Sequence, residues 1–302
     1  EGSKKGYNPK KPGRNSHHPL FAFVNDIRMV ANCWNRSGNT GSSSNCINFL
    51  EETFSILKNK KVGLFRADSG FCTSSILDFI ENKNIAYVMS CKLYARLQSE
   101  IYRIGNWTAI GEGLWISEIM YKQGDWKQAR RIVVIKQSEE IRPKATGKKL
   151  KTLFSSMGIA DDKVYNTRYH AFVTNQSLPA AEIWSQYKRR GDAENRIKEL
   201  KEDFGVEGFC MDDFCATETA MRFIMIAYNL MSLFRHLTLQ TQPTPRLSTL
   251  RFNCFAVGSW VEKGGDEHTL KMSVPLKRRQ WYDSLFSFIE TTKLPLSLTV
   301  TS

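Results

Sequence analysis

The stretch YKRRGDAENRIKELKEDFG, residues 187–205, decides the fold of this chain. Four polar side chains recur in it at spacings of three, four and seven residues: Tyr187, Arg190, Glu194 and Lys201. On a helix, steps of about 100° per residue place all four within an arc of roughly 60°. An apolar row runs beside them: Ala193, Ile197, Leu200 and Phe204. We predict one amphipathic helix whose apolar row packs on a core. The alternative is a solvated face with i,i+4 ion pairs.

Strand and helix patterns alternate upstream of this stretch. LFAFVND (20–26) and IRMVANCWNR (27–36) predict two strands joined by an Asn-Asp turn, and the segment at 46–60 has helical periodicity. KVGLFRADSGF, TSSILDFIENKN and IAYVMSCKL follow, with residues 73–75 available as helix caps. These three segments predict a strand, a helix and a parallel strand, which is a βαβ unit.

The pattern changes between residues 97 and 167, where short strand segments and Gly-containing turns predict antiparallel hairpins. YHAFVTN (169–175) resumes the pattern of a buried strand, and helices are predicted from about Ala180 and over 216–239. The C-terminal part contains a KGGD turn between strand-like segments and a last helix near 279–291. The residues at 97–167 therefore have the character of an insertion in an α/β fold.

Charge points to a polyanionic partner. The 302 residues carry a formal net charge of +13, and the basic residues occur in runs, including RPKATGKKLK at 142–151 and YKRR at 187–190. Nucleic acid is the simplest partner for such a field. A membrane surface is the weaker alternative, because no run lies on an amphipathic helix with a large apolar face. Seven cysteines without paired spacing indicate reduced thiols, and we expect Cys210 and Cys215 to be buried.

Asp68 ends an apolar strand pattern and precedes a Ser-Gly turn. This position places an acid at the edge of a sheet, although the carboxylate could also simply cap the turn. Magnesium takes one or two protein carboxylates together with phosphate oxygens and water. An Asp on a strand and a Glu on a helix can meet that need for two-metal phosphoryl chemistry.

The polar row matches the Y-x2-R-x3-E-x6-K pattern of DDE transposases from bacterial insertion sequences in every position and spacing. Other segments resemble one branch of that family and occur in the expected order: EGSKKGYNPKKPGRNSHHPL, RSGNT, RADSGF, YHAFVTN, and DAENRIKELKEDFG followed by AYNLMSLFR. The resemblance covers nearly the whole chain. It implies an α/β fold with an RNase H-like mixed sheet flanked by helices, and a β-rich insertion between the second catalytic Asp and the catalytic Glu.

The resemblance also implies the roles of the candidate residues. Asp68 would be the second catalytic Asp and Glu194 the catalytic Glu, and both would bind Mg²⁺, with two ions in the complete site and Mn²⁺ as a substitute. The DNA-binding residues would hold phosphates near the cleaved end: Tyr187, Arg190 and Lys201. Family members cut the ends of a mobile element and join the freed 3′-hydroxyl to target DNA. We therefore expect DNA as partner, a homodimer in a synaptic complex, no membrane, and a cytoplasmic, nucleoid-associated location.

Four segments follow from the resemblance. Residues 1–96 and 168–240 would form the RNase H-like core, 97–167 the insertion, and 241–302 a C-terminal strand-hairpin and helix extension. In the family the first catalytic Asp precedes the segment at which this sequence begins, so we expect the chain to be inactive alone. Asp26 is the alternative first Asp, but its position is not catalytic in the family.

The insertion supplies three tryptophans: Trp107, Trp115 and Trp126. Transposases that pass through a DNA hairpin stack a flipped base on an aromatic residue of this region, and such stacking contributes about 1–3 kcal/mol. The alternative is that these side chains fill a small hairpin core. For the whole chain, the alternative function is that of a catalytically inactive DNA-binding remnant. A general nuclease on the same core is a third possibility, which the Y-R-E-K row disfavours.

Overall fold

The computed structural model describes residues 2–6, 12–140, 165–208, 211–238 and 245–291. The chain divides into two compact units, one made of Glu1–Asn39 with Asp192–Ser302 and the other of Thr40–Gly191. The chain therefore begins in the first unit, builds all of the second, and returns to the first. The basic run at 142–151 lies outside the described residues.

Helices and strands occur in both units. The first unit opens with four strands: β1 (Lys4–Lys5), β2 (Asn15–Ser16), β3 (Leu20–Val24) and β4 (Met29–Trp34). The second unit contains α1 (Cys46–Leu57), β5 (Leu64–Ala67), α2 (Ser74–Asn82), β6 (Ala86–Cys91), α3 (Ala95–Tyr102), β7 (Thr108–Gly111), β8 (Leu114–Tyr121), β9 (Arg130–Glu140), β10 (Tyr165–Thr174) and α4 (Ala180–Lys188). The first unit then resumes with α5 (Gly191–Glu202), α6 (Phe214–Thr238), α7 (Leu247–Leu250), a π-helical turn (Arg251–Phe255), β11 (Ser259–Gly264), β12 (Glu267–Met272) and α8 (Leu276–Thr291).

One six-stranded sheet organises the second unit, with the order β5-β6-β10-β9-β8-β7. Strands β5 and β6 are parallel, whereas the other neighbouring pairs are antiparallel. The predicted βαβ unit is therefore confirmed as β5, α2 and β6. Strands β7 to β9, which lie within the predicted insertion, continue the same sheet through β10. The boundaries of the four predicted segments remain a prediction.

Both faces of this sheet are covered, and alternate residues along each strand face opposite sides. On β6, Tyr87 and Met89 pack into one apolar cluster with the buried residues of α2, whereas Val88 packs into another with Ile183 of α4. Burial on both faces explains why the central strands are nearly continuous runs of apolar residues. Trp126 is 3% exposed within the first cluster, so it is a core side chain.

The first unit packs the β3–β4 hairpin against α5 and α6. The prediction of two strands with an Asn-Asp turn is confirmed by this hairpin. Its core joins Val30 of β4, Leu200 of α5 and Tyr228 of α6. The side chain of Asn229 binds both main-chain groups of Val30: Val30 N–H donates to Oδ1 at 2.8 Å, and Nδ2 donates to the Val30 carbonyl at 2.9 Å. A helix side chain thus completes the hydrogen bonds of a strand residue, as buried backbone groups require.

Residues 187–205 do not form one helix, and this prediction is wrong. Helix α4 ends at Lys188, and α5 begins at Gly191. The backbone N–H of Arg190 donates to the Tyr187 carbonyl at 2.8 Å, which tightens the end of α4 into a turn. Gly191 is a poor helix interior residue, and acidic residues after it favour a helix N-terminus. The four polar side chains therefore lie on two elements, and the single-helix geometry that placed them on one arc does not apply.

Two further expectations change at the C-terminal side. The predicted hairpin is present as β11 and β12, but the residues before it form α7 and the π-helical turn rather than extended chain. Cys215 is exposed rather than buried, while Cys210 lies outside the described residues. Cys215 lies near the start of α6, where its side chain contributes no core packing.

Candidate active site

Asp68 lies immediately after β5, where the strand gives way to a turn. Its Oδ1 accepts a hydrogen bond from the Gly70 backbone N–H at 2.8 Å. The Phe71 backbone N–H donates to the Asp68 carbonyl at 3.1 Å. The Asp68 side chain is nevertheless 43% exposed. The carboxylate therefore stabilises the turn with one oxygen and keeps the second oxygen for another partner.

Gly70 makes this turn sterically feasible. A Cβ at this position would lie 2.9 Å from the side chain of Ser42 and 3.0 Å from Oδ1 of Asp68. Both distances are shorter than ordinary van der Waals contacts, so a larger residue would displace the carboxylate or the Ser42 loop. A glycine at position 70 is thus required by close packing around Asp68.

Arg190 is the cation beside Asp68. Its Nη2 lies 3.5 Å from Oδ2 of Asp68, and its side chain is 24% exposed. Charge-assisted hydrogen bonds are typically about 2.7–2.9 Å long, so this ion pair is weak. Arg66 of β5 donates from Nη1 to the Gln186 carbonyl at 2.9 Å, which fixes the end of α4, and with it the turn that contains Arg190, to the strand that leads to Asp68.

Tyr187 is a partly buried phenol in the same group. Its ring centroid lies 4.4 Å from that of Phe172 on β10, and the Arg190 guanidinium carbon lies 6.0 Å from the Tyr187 ring centroid. Burial raises the pKa of the Tyr187 phenol, and the charge of Asp68 acts in the same direction, whereas Arg190 and a hydrogen bond with Ser90 oppose the shift. The phenol therefore stays protonated at neutral pH and can donate a hydrogen bond to an anion.

Glu194 and Lys201 belong to the first unit, on α5. Glu194 is exposed in the first turn of the helix, where the helix dipole favours a negative charge. The Nζ of Lys201 lies 2.5 Å from Oε1 of Glu207, and both side chains are about half exposed. The structure thus groups three of the five predicted site residues, namely Asp68, Arg190 and Tyr187.

The buried face of α5 holds charges that the sequence pattern does not reveal. Arg196 is 5% exposed and Glu199 is 6% exposed. Glu199 accepts hydrogen bonds from Arg235 Nη2 at 2.5 Å and from the Leu247 backbone N–H at 2.8 Å. Arg196 donates from Nη2 to the Asn25 side chain at 3.3 Å. These contacts fix the helix that carries Glu194 and Lys201 to its own unit.

The donor chemistry of the two acids fits magnesium. Asp68 and Glu194 offer exposed carboxylate oxygens, and Mg²⁺ usually takes only one or two protein carboxylates, with phosphate and water completing its shell. Within the described part of the chain, no group of three or more His, Cys, Asp or Glu side chains could hold a metal ion. Phosphate oxygens and water are the usual further ligands of such an ion.

An acid at the end of a strand, with a guanidinium and a protonated phenol beside it, suits an enzyme that acts on phosphates. A model of the family described as transposase DDE domain, group 1, matches residues 12–294. The chain therefore belongs to the DDE transposase family, whose substrate is DNA and whose chemistry is that of a nuclease and polynucleotidyl transferase. The mixed sheet flanked by helices is the RNase H-like fold of this family. Comparison with curated proteins finds no match.

This finding confirms the DDE family that the resemblance implied. The Y-R-E-K type and an origin in a bacterial insertion sequence remain predictions. Across the described residues, no helix is long and apolar enough to cross a membrane.

Sequence reasoning missed three residues that shape this site: Phe172, Ser90 and Gly70. Phe172 and Ser90 contact Tyr187 from neighbouring strands, and their positions depend on the pairing of β10 with β6. A single sequence gives no signal for that pairing. Gly70 belongs to the RADSGF segment, but the need for a glycine there follows only from the position of Ser42.

Proposed function

We propose that this chain is the catalytic domain of an insertion-sequence transposase that cuts the ends of its element and joins them to target DNA in a Mg²⁺-dependent reaction. The observation that carries the proposal is the grouping of Asp68, Arg190 and Tyr187 beyond β5, in a chain that belongs to the DDE family. Bound Mg²⁺ would polarise the scissile phosphate and activate the attacking water or hydroxyl.

Asp68 and Glu194 are the proposed metal ligands. The Oδ1 of Asp68 is held by the Gly70 N–H, which orients the carboxylate without covering it. Glu194 lies in the first turn of α5, where the helix dipole favours a negatively charged group. Two ions are expected in the complete site, and Mn²⁺ can replace Mg²⁺ because it accepts the same oxygen ligands.

The other three residues are proposed to hold DNA phosphates. The contact between Arg190 and Asp68 is long, so a phosphate can compete for the guanidinium, which binds phosphate oxygens in a bidentate manner. Tyr187 supplies a neutral donor, since its phenol remains protonated. Lys201 supplies a point charge that a phosphate would draw away from Glu207.

Strand cleavage tests the catalytic part of this proposal. The chain itself serves as the parent protein, and nicking by it would show that the expectation of inactivity is wrong. Incubated with supercoiled plasmid and Mg²⁺, the parent should convert the plasmid to nicked circles. Asp68→Asn and Glu194→Gln should lose nicking while affinity for a short duplex stays within a few-fold, because both changes keep side-chain volume but weaken a magnesium ligand. Asp26→Asn is the matched control and should nick like the parent.

The alternative function is that of a DNA-binding protein that does not cut. The net charge of +13 is the observation that favours it, because a basic surface binds DNA without any need to cut it. A folded parent that binds duplex DNA and leaves the plasmid supercoiled in both Mg²⁺ and Mn²⁺ would support this alternative. Equal nicking by the parent and by Asp68→Asn would contradict the assignment of Asp68.

We also propose that the active form is a homodimer on DNA. Light scattering of the chain with and without a duplex distinguishes one copy from two copies per complex.

A further inference from the structure

Two cysteines lie in contact close to the candidate active site. The sulfur atoms of Cys72 and Cys91 are 3.7 Å apart and share a hydrogen bond. Cys72 is in the loop between Asp68 and α2, and Cys91 is the last residue of β6. A disulfide requires the sulfurs to approach to about 2.05 Å. The proposed catalysis uses neither thiol.

The surroundings distinguish the two thiols chemically. The hydrogen bond with Cys91 lowers the pKa of the Cys72 thiol below its usual value, and the charge of Arg130 lowers it further, against the effect of burial. The same hydrogen bond and its own burial raise the pKa of Cys91. Cys72 is partly exposed, whereas Cys91 is buried. Cys72 thus has the thiolate character and the access of an attacking thiol, and Cys91 is placed to resolve the oxidised product.

Arg130, whose charge acts on Cys72, is held by two acids that do not use all of its hydrogen-bond donors. Its Nε and Nη2 donate to Glu81 and Asp78 at 2.7 and 2.6 Å. Its buried Nη1 has no hydrogen-bond partner among the described residues. The guanidinium is therefore fixed in place by the two acids and retains an unsatisfied donor, and its positive charge favours an anion at Cys72.

We propose that Cys72 and Cys91 form an oxidisable thiol pair, which hydrogen peroxide or a related small peroxide converts to an intramolecular disulfide. The Cys72 thiolate attacks one peroxide oxygen, so that an S–O bond forms, the O–O bond breaks, and hydroxide leaves and takes up the proton lost by Cys72 to become water. The Cys91 sulfur then attacks the Cys72 sulfur; the S–S bond forms, the S–O bond breaks, and a second water leaves with the Cys91 proton. The two thiols lose two electrons, and the peroxide gains them.

The disulfide would restrain the loop that begins with Asp68. The backbone of this loop is held by the Phe71 N–H to the Asp68 carbonyl at 3.1 Å and by the Thr73 N–H to the Phe71 carbonyl at 2.9 Å. The disulfide would join this loop to Cys91 at the end of β6. Cys91 follows Ser90, which forms a hydrogen bond with Tyr187. Any effect of this link on DNA cleavage rests on the proposed function, whereas formation of the link does not.

Peptide mapping tests the pair. Cys215→Ser, which removes an exposed thiol, and Cys210→Ser are introduced first, so that neither thiol competes. The reduced protein is treated with hydrogen peroxide, alkylated and digested with trypsin, which separates Cys72 and Cys91 into the peptides 67–83 and 84–92. Mass spectrometry without reductant should find these peptides joined, with the loss of two hydrogens, in more than half of the chains. The joined peptide should disappear on treatment with dithiothreitol.

Matched variants separate the pair from general thiol oxidation. Cys91→Ser should stop at the Cys72 sulfenic acid, which dimedone traps, and Cys72→Ser should abolish the joined peptide. Cys33→Ser removes a buried thiol elsewhere and should leave the yield unchanged. Oxidation of Cys72 without the joined peptide, or an equal yield from urea-denatured protein, would overturn the proposal. Amide hydrogen exchange at residues 69–73 should slow in the oxidised protein, and unchanged exchange would refute the restraint. No readout uses DNA or metal, so failure here is distinct from failure of the proposed function.

Discussion

Glu199→Gln removes the negative charge of a buried ion pair in the first unit. Glu199 and Arg235 have side chains that are 8% and 3% exposed, with Oε1 and Nη2 2.5 Å apart. Removing one partner of such a pair typically costs about 3–5 kcal/mol, because the other charge stays buried without compensation. Gln keeps the volume and can still accept from the Leu247 N–H. We therefore expect the lower end, a loss of about 3 kcal/mol in the free energy of unfolding.

Urea unfolding followed by circular dichroism measures this loss. Lys198→Gln is the matched control on the same helix, because its Nζ lies 3.9 Å from Glu202 with both side chains exposed; it should cost less than about 0.5 kcal/mol. Adding Arg235→Met to Glu199→Gln removes the stranded cation and should recover about 2 kcal/mol. A loss below about 1 kcal/mol for Glu199→Gln, or a double variant no more stable than the single one, would refute the reasoning.

Three further predictions concern DNA binding and acid stability. Lys201→Ala should lower the magnitude of the slope of log affinity against log salt by about one, as measured by fluorescence anisotropy on a short duplex. Glu207→Gln removes the acid that pairs with Lys201 and should strengthen binding. An unchanged slope for Lys201→Ala would show that Lys201 does not contact phosphate. Arg190→Lys should weaken duplex binding by roughly three- to thirty-fold, because Lys cannot bind a phosphate in a bidentate manner, and equal affinity would contradict that role. Hydrogen bonding to Lys127 lowers the pKa of Asp78, and Arg130 acts in the same direction. Burial alone would raise the pKa of Glu81, but hydrogen bonds from Arg130 and Tyr87 lower it overall. The stabilisation of the folded state by these two carboxylates is therefore fully present above the ordinary carboxyl pKa of about 4 and is lost as the pH falls below it. The melting temperature of the double variant Asp78→Asn, Glu81→Gln should depend less on acid pH than that of the parent. An identical dependence would contradict the role given to these two acids.

Local periodicity was sufficient to predict much of the fold. The segments that became β5, α2 and β6 carry their pattern within a few residues of one another, and a βαβ unit follows from that order alone. The break between α4 and α5 was missed because the polar spacing continues across it. Spacing records where side chains would lie on a helix, whereas Gly191 and the turn at Arg190 decide whether the helix continues.

The candidate site was only partly predictable, because its contacts join distant parts of the chain. Asp68 and Arg190 are 122 residues apart in sequence, and nothing local connects them. Glu199 lies outside the apolar row of the predicted amphipathic helix, yet it is buried, and its partner Arg235 lies 36 residues later. A buried ion pair and a surface one have the same local sequence pattern, so their burial could be learned only from the packing of α5 on its unit.

The proposal that Asp68 and Glu194 are both ligands of the catalytic metal is tested most directly by iron-directed cleavage of the polypeptide. Fe²⁺ replaces Mg²⁺ in oxygen-ligand sites, and with ascorbate and peroxide it cuts the backbone next to the ion. The protein used in this experiment carries Cys72→Ser and Cys91→Ser, so that peroxide cannot oxidise this thiol pair. We expect fragments that end near both residues 68 and 194. Excess Mg²⁺, Asp68→Asn or Glu194→Gln should each suppress both cuts together, whereas Asp26→Asn should not. Cutting near only one of the two acids, or cutting that survives both substitutions, would contradict it.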